Sequence, residues 1–444
     1  MVGDDARISV TPGRAQRYVP SSGTWRPIIS TRALRLFIGR HSIPEKSPRI
    51  ESIVQPGRSC NHCGSHVYPL TRVLIEDDSR TNTFRRSNIM TTSSALDQYR
   101  LLGRSGLRVS PLSLGTMTFG SDWGWGADDA EAQRIFDGYV ERGGNFIDTA
   151  VNYTNGSAEK ILGRMIKAKR DRIVLATKFT MSREAGNPNA GGNHRYNLVR
   201  SVETSLRQLD TDRIDLLYLH AWDFTTSPDE VMRALDDLVR DGKILYLGIC
   251  NTPAWRIAQM QTLADLRGWS PFVALQIEYS LVERTVEHEL IPMAQAMGLG
   301  VLPWSPLGGG ILTGKYSRAD LSDENGADVA ATRKGIIAST GHLNERALAI
   351  AEVVSDIAHE SGASSSQIAL AWTLRNSAVA STIMGARTVA QAEDNFAALD
   401  VVLSDEQLQR LEQASAIDPI FPARFISRPM AQQLITGGAA VRGR

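Results

Sequence analysis

Short apolar runs alternate with helical patterns from about residue 100 onward, and this alternation limits the fold more than any other feature of the sequence. The segments between the runs, such as residues 132–140, place apolar side chains at helical spacing. Runs too apolar to face water are typical of parallel strands that helices cover. Eight strand–helix units predict an α/β protein built as a closed (β/α)8 barrel, or TIM barrel. The eight runs are Val109–Leu114, Asn145–Ile147, Ile173–Thr177, Ile214–Leu219, Ile244–Ile249, Val273–Ile277, Gly300–Pro303 and Ala380–Met384.

Residues 1–89 lack this alternation and differ in charge from the rest of the chain. They hold 13 Arg and 1 Lys against 7 acidic residues, with many Ser and Pro. Such a composition indicates a disordered N-terminal extension, or a mis-assigned leader upstream of a true start at Met90. An Arg-rich transit peptide is the alternative, which Asp4 and Asp5 disfavour. We expect the barrel over residues 95–425 and a C-terminal tail over residues 426–444.

The composition argues against several classes of protein. The formal net charge is +1, so electrostatics alone suggest neither a nucleic-acid nor a membrane partner. No apolar stretch has the length of a membrane helix. Only three cysteines are present, which suits a reducing, cytoplasmic location.

Two short motifs were weighed as binding sites. Cys60 and Cys63 form a CxxC pair near His62 and His66, but a structural zinc site usually needs a second, distant pair, so we expect no metal. The segment 298–306 has the first two glycines of a dinucleotide-binding GxGxxG motif but not the third, which makes a Rossmann domain improbable.

Polar side chains stand where the predicted strands end. Asp148 ends the second strand, Lys178 the third and His220 the fourth, while Tyr153 lies on the loop after Asp148. The carboxyl ends of the strands form the active-site face of such barrels. We therefore expect these four side chains to meet.

Their chemistry points to acid catalysis. A phenol has a pKa of about 10, and a nearby ammonium would stabilise its anion and lower that pKa. Asp148 would keep Lys178 charged, and His220 would orient a substrate carbonyl. The four form a general acid that protonates a developing oxyanion, with a hydride-carrying cofactor supplying the electrons. The alternative is a lyase or aldolase in which Lys178 forms a Schiff base.

The stretch from Asp148 to Gly163, DTAVNYTNGSAEKILG, resembles the pattern DTAxxYxxGxSExxLG of the aldo-keto reductase superfamily. The likeness covers about Tyr99 to Phe425 and is closest to the branches with aryl-alcohol-dehydrogenase-like members. It implies that Asp148, Tyr153, Lys178 and His220 are the family's catalytic tetrad. Five further segments are similar: Leu114–Gly126, Leu219–Asp223, Leu275–Arg284, Trp304–Tyr316 and Gly385–Asn395.

The resemblance also implies NADP(H) as the cofactor. Asn251 and Gln276 would hold the nicotinamide carboxamide, beside Cys250, where many members have Ser, and Trp304 would stack on the ring. The pyrophosphate would lie along the segment Ser305–Gly310 and Lys315. A guanidinium at Arg387 suits a 2′-phosphate. The implied phosphate contacts include Ser305, Pro306, Leu307 and Gly308, and the implied adenosine contacts are Gly385, Arg387, Gln391 and Asn395.

The expected function is hydride transfer between NADPH and a small aldehyde or ketone, with Tyr153 as the general acid. Trp123, Trp125 and Trp222 would line the pocket for an apolar or aryl substrate. A nucleotide-binding regulatory subunit with a reductase-like barrel is the alternative within the same resemblance. The sequence singles out neither one substrate nor one oligomeric state.

Overall fold

A computed structural model describes residues 96–321 and 341–441. The predictions for residues 1–89, including the CxxC motif, lie outside this part. The strands are β1 Arg100–Leu101, β2 Arg108–Val109, β3 Leu112–Gly115, β4 Phe146–Asp148, β5 Val174–Phe179, β6 Ile214–Leu219, β7 Ile244–Cys250, β8 Phe272–Glu278, β9 Gly300–Trp304 and β10 Thr382–Gly385.

The helices alternate with the strands after β3. Those up to β9 are α1 Asp129–Glu141, α2 Ser157–Ile166, α3 Arg195–Gln208, α4 Pro228–Arg240, α5 Ala254–Arg267 and α6 Leu290–Met297. Those after β9 are α7 Glu345–Ser361, α8 Ser365–Leu374, α9 Val389–Phe396, α10 Asp405–Ser415, α11 Ala423–Ile426 and α12 Pro429–Thr436.

Strands β3 to β10 form one parallel sheet in the order β10-β3-β4-β5-β6-β7-β8-β9. The sheet is joined into a ring just before β10, where the amide of Val301 donates to Ala378 and the amide of Ala380 donates to Val301, both at 2.9 Å. The predicted (β/α)8 barrel is therefore confirmed.

The first predicted run, Val109–Leu114, is divided in the structure. Val109 ends the β1–β2 hairpin, and the barrel strand begins only at Leu112. Pro111 lies between them and has no amide proton for a strand ladder, although its carbonyl accepts from Thr382. A single apolar run therefore contributes to two separate sheets.

The hairpin covers the amino-terminal end of the barrel. A Cβ atom on Gly103 would stand 2.3 Å from the carbonyl oxygen of Val273 and 2.6 Å from the amide of Gly300, at the starts of β8 and β9. Only glycine fits that contact, which has a φ of +55°. Leu102 packs into the barrel interior. Access to the interior is consequently left to the carboxyl ends of the strands.

Helix starts follow the capping residues in the sequence. Asp128 caps α1 and Ser227 caps α4, where Pro228 occupies the first helical position. Ser364 and Ser404 form capping boxes with Gln367 and Gln407. Each cap fixes where its helix begins, and those of α1 and α4 also end the loops that follow β3 and β6.

Two short helices, α11 and α12, follow the barrel; α11 crosses the expected boundary at residue 425, and α12 lies within the expected C-terminal tail. In residues 418–441 nearly every side chain is exposed, Ala431 being buried. In the part of the chain that the structure describes, no helix is long and apolar enough to cross a membrane.

Candidate active site

The four side chains expected to meet do lie together. Asp148 is the last residue of β4, Lys178 lies in β5, and His220 follows β6 directly. Tyr153 begins a short 3-10 turn in which Thr154 and Asn155 adopt left-handed backbone angles. The amide of Val151 still donates to the carbonyl of Lys178, at 3.2 Å. That bond keeps the loop after β4 over the end of β5 and brings the phenol to the lysine.

The ammonium of Lys178 is fully buried and has three acceptors. It donates to Oδ1 of Asp148, to the carbonyl of Thr149 at 2.8 Å and to the hydroxyl of Tyr153 at 3.0 Å. A lysine has three N–H donors, so all three are used. Because the Tyr153 oxygen accepts from Lys178, its own proton is left to be donated elsewhere.

Asp148 is held from two sides. Its second oxygen, Oδ2, accepts a hydrogen bond of 2.8 Å from the side-chain amide of Gln276, in β8. Both Asp148 and Gln276 are about 3% exposed. The carboxylate thus lies between a cation and a neutral donor, deep in the mouth of the barrel.

Burial and charge act on Lys178 in opposite directions. Burial alone would lower the pKa of Lys178, but the charge of Asp148 and further contacts raise it, so the net pKa lies above its ordinary value. The lysine therefore stays protonated. A Schiff-base mechanism needs the free amine, and the structure disfavours it.

The pKa of Tyr153 is shifted upward, whereas the sequence predicts a downward shift. Burial raises the pKa of Tyr153 above its ordinary value, although Lys178 acts to lower it. Asp148 raises the same pKa again, because its negative charge offsets that of the lysine. The phenol is therefore protonated at neutral pH.

His220 is neutral. Burial, with a smaller contribution from Lys178, lowers the pKa of His220 to about 3. Its ring lies edge-on to Tyr153 with the centroids 6.0 Å apart, and its backbone amide donates to the hydroxyl of Thr180. A neutral imidazole has one N–H to offer a carbonyl oxygen.

Two of the residues expected at the nicotinamide, Asn251 and Trp304, are hydrogen-bonded to each other. Asn251 donates to the carbonyl of His220 at 2.9 Å and accepts from the indole of Trp304 at 3.2 Å. Trp304 is partly exposed at the end of β9. Cys250 is fully buried, so the structure places its thiol inside the barrel rather than on the open face of the site.

The segment after β9 forms a tight loop. Ser305, Gly308, Gly309 and Gly310 all have positive φ angles, and the hydroxyl of Ser305 accepts from the amide of Gly309 at 2.9 Å. A Cβ atom on Gly310 would stand 2.8 Å from Nζ of Lys315. Consecutive amides in such a turn form an anion-binding concavity, and the glycines let a lysine approach it. Pro306 is buried and Leu307 partly buried beneath the loop.

The segment after β10 presents one exposed guanidinium. Arg387 is exposed, and its backbone amide donates to the side chain of Gln391 at 2.9 Å. The side-chain amide of Asn395, which is buried, donates to the carbonyl of Gly385 at 3.3 Å. These amides hold the loop in place and leave the charge of Arg387 facing solvent.

The three tryptophans expected to line the pocket occupy two different environments. Trp123 and Trp125 are partly exposed with ring centroids 5.8 Å apart, and Trp123 meets the Tyr153 ring edge-on at 6.4 Å. Trp222 is only 5% exposed and packs in the core. Trp123 therefore adjoins the phenol with Trp125 packed against it, while Trp222 supports the loop after β6.

The sequence-based search missed Trp255 and Arg256, in the first turn of α5. The Arg256 guanidinium carbon lies 4.8 Å from the ring centroid of Trp222 and 4.3 Å from that of Trp255. Their nearness to Asn251 along the chain was the available signal. The sequence does not reveal that Trp222, from another loop, completes the stack.

Comparisons with known proteins agree with this geometry. The model of the aldo/keto reductase family matches residues 111–416. Norsolorinic acid reductase of Aspergillus flavus is 37% identical over 352 residues, which cover 77% of this chain and 87% of that protein. The aldo-keto reductase ausK of Emericella nidulans is 36% identical, over 74% and 84% of the two chains. The putative aryl-alcohol dehydrogenase AAD14 of Saccharomyces cerevisiae is 35% identical, over 74% and 90%.

The family model covers most of the chain and includes all eight barrel strands, β3 to β10, whereas the β1–β2 hairpin lies before the matched range. The relatives are named as reductases and alcohol dehydrogenases. The predicted family is confirmed: this chain belongs to the aldo/keto reductase family of carbonyl oxidoreductases.

Proposed function

We propose that the protein reduces an aldehyde or ketone to the alcohol with NADPH, and that Tyr153 is the general acid. The observation that carries the proposal is the contact of 3.0 Å from the Lys178 ammonium to the Tyr153 hydroxyl, with Asp148 on the far side of that ammonium. This arrangement leaves one phenolic proton directed away from Lys178 and available to a substrate oxygen.

Bound NADPH would supply the hydride that adds to the carbonyl carbon. As negative charge develops on the carbonyl oxygen, Tyr153 gives it a proton, and Lys178 stabilises the phenolate that remains. The raised pKa of Tyr153 keeps the proton in place until that oxyanion forms. Neutral His220 donates a hydrogen bond that orients the carbonyl. Solvent then returns a proton to Tyr153.

The residues present fit a nicotinamide dinucleotide phosphate. Asn251 and Trp304 are joined at the mouth of the barrel, where an indole face could hold the nicotinamide ring. The glycine turn beside Lys315 suits the pyrophosphate. The exposed Arg387 suits a 2′-phosphate, because a guanidinium can pair two phosphate oxygens at once.

An aryl carbonyl compound is the substrate class that we favour. Trp123 adjoins the Tyr153 phenol, and Trp125 packs against Trp123, so the two indoles offer an apolar wall for a flat ring. The names of the relatives, norsolorinic acid reductase and aryl-alcohol dehydrogenase, support the same choice. A cytoplasmic location is part of the proposal, because the whole sequence has only three cysteines, which is no disulfide framework.

The test is NADPH oxidation with a panel of aryl and aliphatic aldehydes, comparing the native chain with Tyr153→Phe. Loss of the acid should lower kcat/KM by about 10²- to 10⁴-fold, with the alcohol as the product of the native enzyme. Tyr196→Phe is the matched control, because Tyr196 is 59% exposed on α3.

Equal rates for the native chain and Tyr153→Phe would remove Tyr153 as the acid. Binding of NADPH without turnover of any carbonyl would instead favour the regulatory-subunit alternative.

A further inference from the structure

Arg256 is a cation at the rim of the barrel that lies between two aromatic rings and has no acidic partner among the described residues. Its guanidinium lies between the rings of Trp222, which is 5% exposed, and Trp255, which is 57% exposed. One nitrogen donates to the neutral side chain of Gln259, and Nε is buried without a hydrogen-bond partner. Among the described residues no carboxylate forms an ion pair with it.

The acidic residue of the loop that carries Trp222, Asp223, already has hydrogen-bond partners of its own. Asp223 accepts hydrogen bonds from the amides of Asn193, Thr225 and Thr226, and from the Thr226 hydroxyl. Its carboxylate is therefore committed to holding its own loop. Asp223 follows Trp222 directly in the chain, yet it does not balance Arg256.

At the strand ends, the positive charge of Lys178 is balanced, whereas that of Arg256 has no balancing charge among the described residues. Lys178 is paired with Asp148, and His220 is neutral. Two aromatic faces stabilise a guanidinium, but they provide no counter-charge. In the described part of the chain, this side of the mouth consequently carries an unbalanced positive charge beside an apolar wall, and an oxygen anion would supply the counter-charge.

The stack is connected to the catalytic histidine. The backbone amide of Trp222 donates to the carbonyl of Asn251 at 3.4 Å. The Asn251 side chain in turn donates to the carbonyl of His220. Arg256 therefore belongs to the same corner of the mouth as the residue expected to orient the substrate carbonyl.

We propose that Arg256, held between Trp222 and Trp255, selects aryl carbonyl substrates that carry a second, anionic oxygen group away from the reacting carbonyl. A carboxylate or an ionised phenol on the ring would accept from the guanidinium while the ring lies against the exposed face of Trp255. The inference rests on the proposed reductase function and specifies the substrate class for it.

The test compares 4-formylbenzoate with its uncharged methyl ester, methyl 4-formylbenzoate, as substrates with NADPH. The measured quantity is the acid-to-ester ratio of kcat/KM, which cancels changes in folding and in cofactor binding. Arg256→Met should lower this ratio by about 10-fold or more, the usual worth of a charge-assisted hydrogen bond. Arg256→Lys should lower it less, because it keeps the charge but not the planar fork.

Arg267→Met is the matched control. Arg267 is exposed at the opposite end of the same helix and should leave the acid-to-ester ratio at the native value. An unchanged ratio in Arg256→Met, or an equal fall in Arg267→Met, would overturn the inference.

A binding measurement separates this inference from the proposed function. Titration calorimetry with 4-(hydroxymethyl)benzoate should give a dissociation constant about 10-fold weaker for Arg256→Met than for the native chain. If the two dissociation constants differ in this way but the native chain reduces no carbonyl, the reductase proposal fails and the anion site stands. If it reduces carbonyls and the two constants are equal, the anion site fails alone.

Discussion

The charged groups inside the mouth of the barrel and the charged group on its rim differ in their partners. Inside, Lys178 has three acceptors and Asp148 has a partner on each oxygen. On the rim, Nε of Arg256 has no hydrogen-bond partner, and no carboxylate pairs with the guanidinium, among the described residues. Asp148 and Lys178 belong to strands, whereas Arg256 lies in the first turn of a helix, against a tryptophan from another loop. The paired interior charges hold each other in place, whereas the rim charge is left to pair with a ligand.

The largest expected effect comes from breaking the interior network. Lys178→Met should lower kcat/KM by about 10²- to 10⁴-fold, since the phenolate loses its cation. It should also destabilise the fold by about 3–5 kcal/mol, because Asp148 is left as an unpaired buried charge. Steady-state kinetics and urea unfolding measure the two effects.

The double variant Asp148→Asn with Lys178→Met is the control for this result. Removing both charges should recover most of the lost stability and none of the activity. A double variant as unstable as Lys178→Met alone would show that packing, not charge, holds this cluster together.

A second buried carboxyl, that of Glu159 in α2, has no lysine or arginine bonded to it among the described residues. It shows what burial does to a carboxyl that is not paired as Asp148 is. Burial raises the pKa of Glu159 to about 7, with a hydrogen bond from Thr177 acting to lower it. Its other oxygen is buried and has no hydrogen-bond partner among the described residues, although Ser205 lies close enough to act to lower the same pKa. In the unfolded chain this carboxyl ionises near its ordinary pKa of 4.5. Between pH 4.5 and about 7 the folded state therefore binds more protons than the unfolded state. The free energy of unfolding should accordingly fall as the pH rises through this range. The fall should be on the order of 3 kcal/mol.

Urea unfolding at several pH values would measure this slope. Glu159→Gln keeps the shape and cannot ionise, so its stability should change less over the same pH range. Equal slopes for Glu159→Gln and the native chain would contradict the assignment.

The smallest effect is expected on the rim, at the proposed adenosine end. Arg387→Ala should raise the KM for NADPH by about 10-fold, because a bidentate contact to the 2′-phosphate is lost. The KM for NADH, which lacks that phosphate, should change little and serves as the control within one variant. An equal change for both coenzymes would overturn the cofactor assignment at Arg387.

The barrel and the strand-end residues could be predicted because both follow from local sequence. Apolar runs define the strands, and Asp148, Lys178 and His220 stand at their ends. The contact of Gln276 with Asp148 joins residues 128 positions apart, so only the closed sheet reveals it. The direction of the Tyr153 pKa depends on burial, which no residue spacing supplies.

The break at Pro111 and the Arg256 stack illustrate the same limit. Apolar character predicted one strand over Val109–Leu114, and it could not tell which residues pair with the hairpin and which with the barrel. Arg256 was missed because its meaning depends on Trp222, a residue from a different loop.

The distribution of indole rings gives the molecule its own optical reporter. Of its eight tryptophans, five stand at or near the ends of the barrel strands: Trp123, Trp125, Trp222, Trp255 and Trp304. Intrinsic emission of the unlabelled protein therefore arises largely from the catalytic face. Quenching of that emission, or energy transfer to a reduced nicotinamide, would follow coenzyme binding directly in a stopped-flow instrument, before any substrate is chosen.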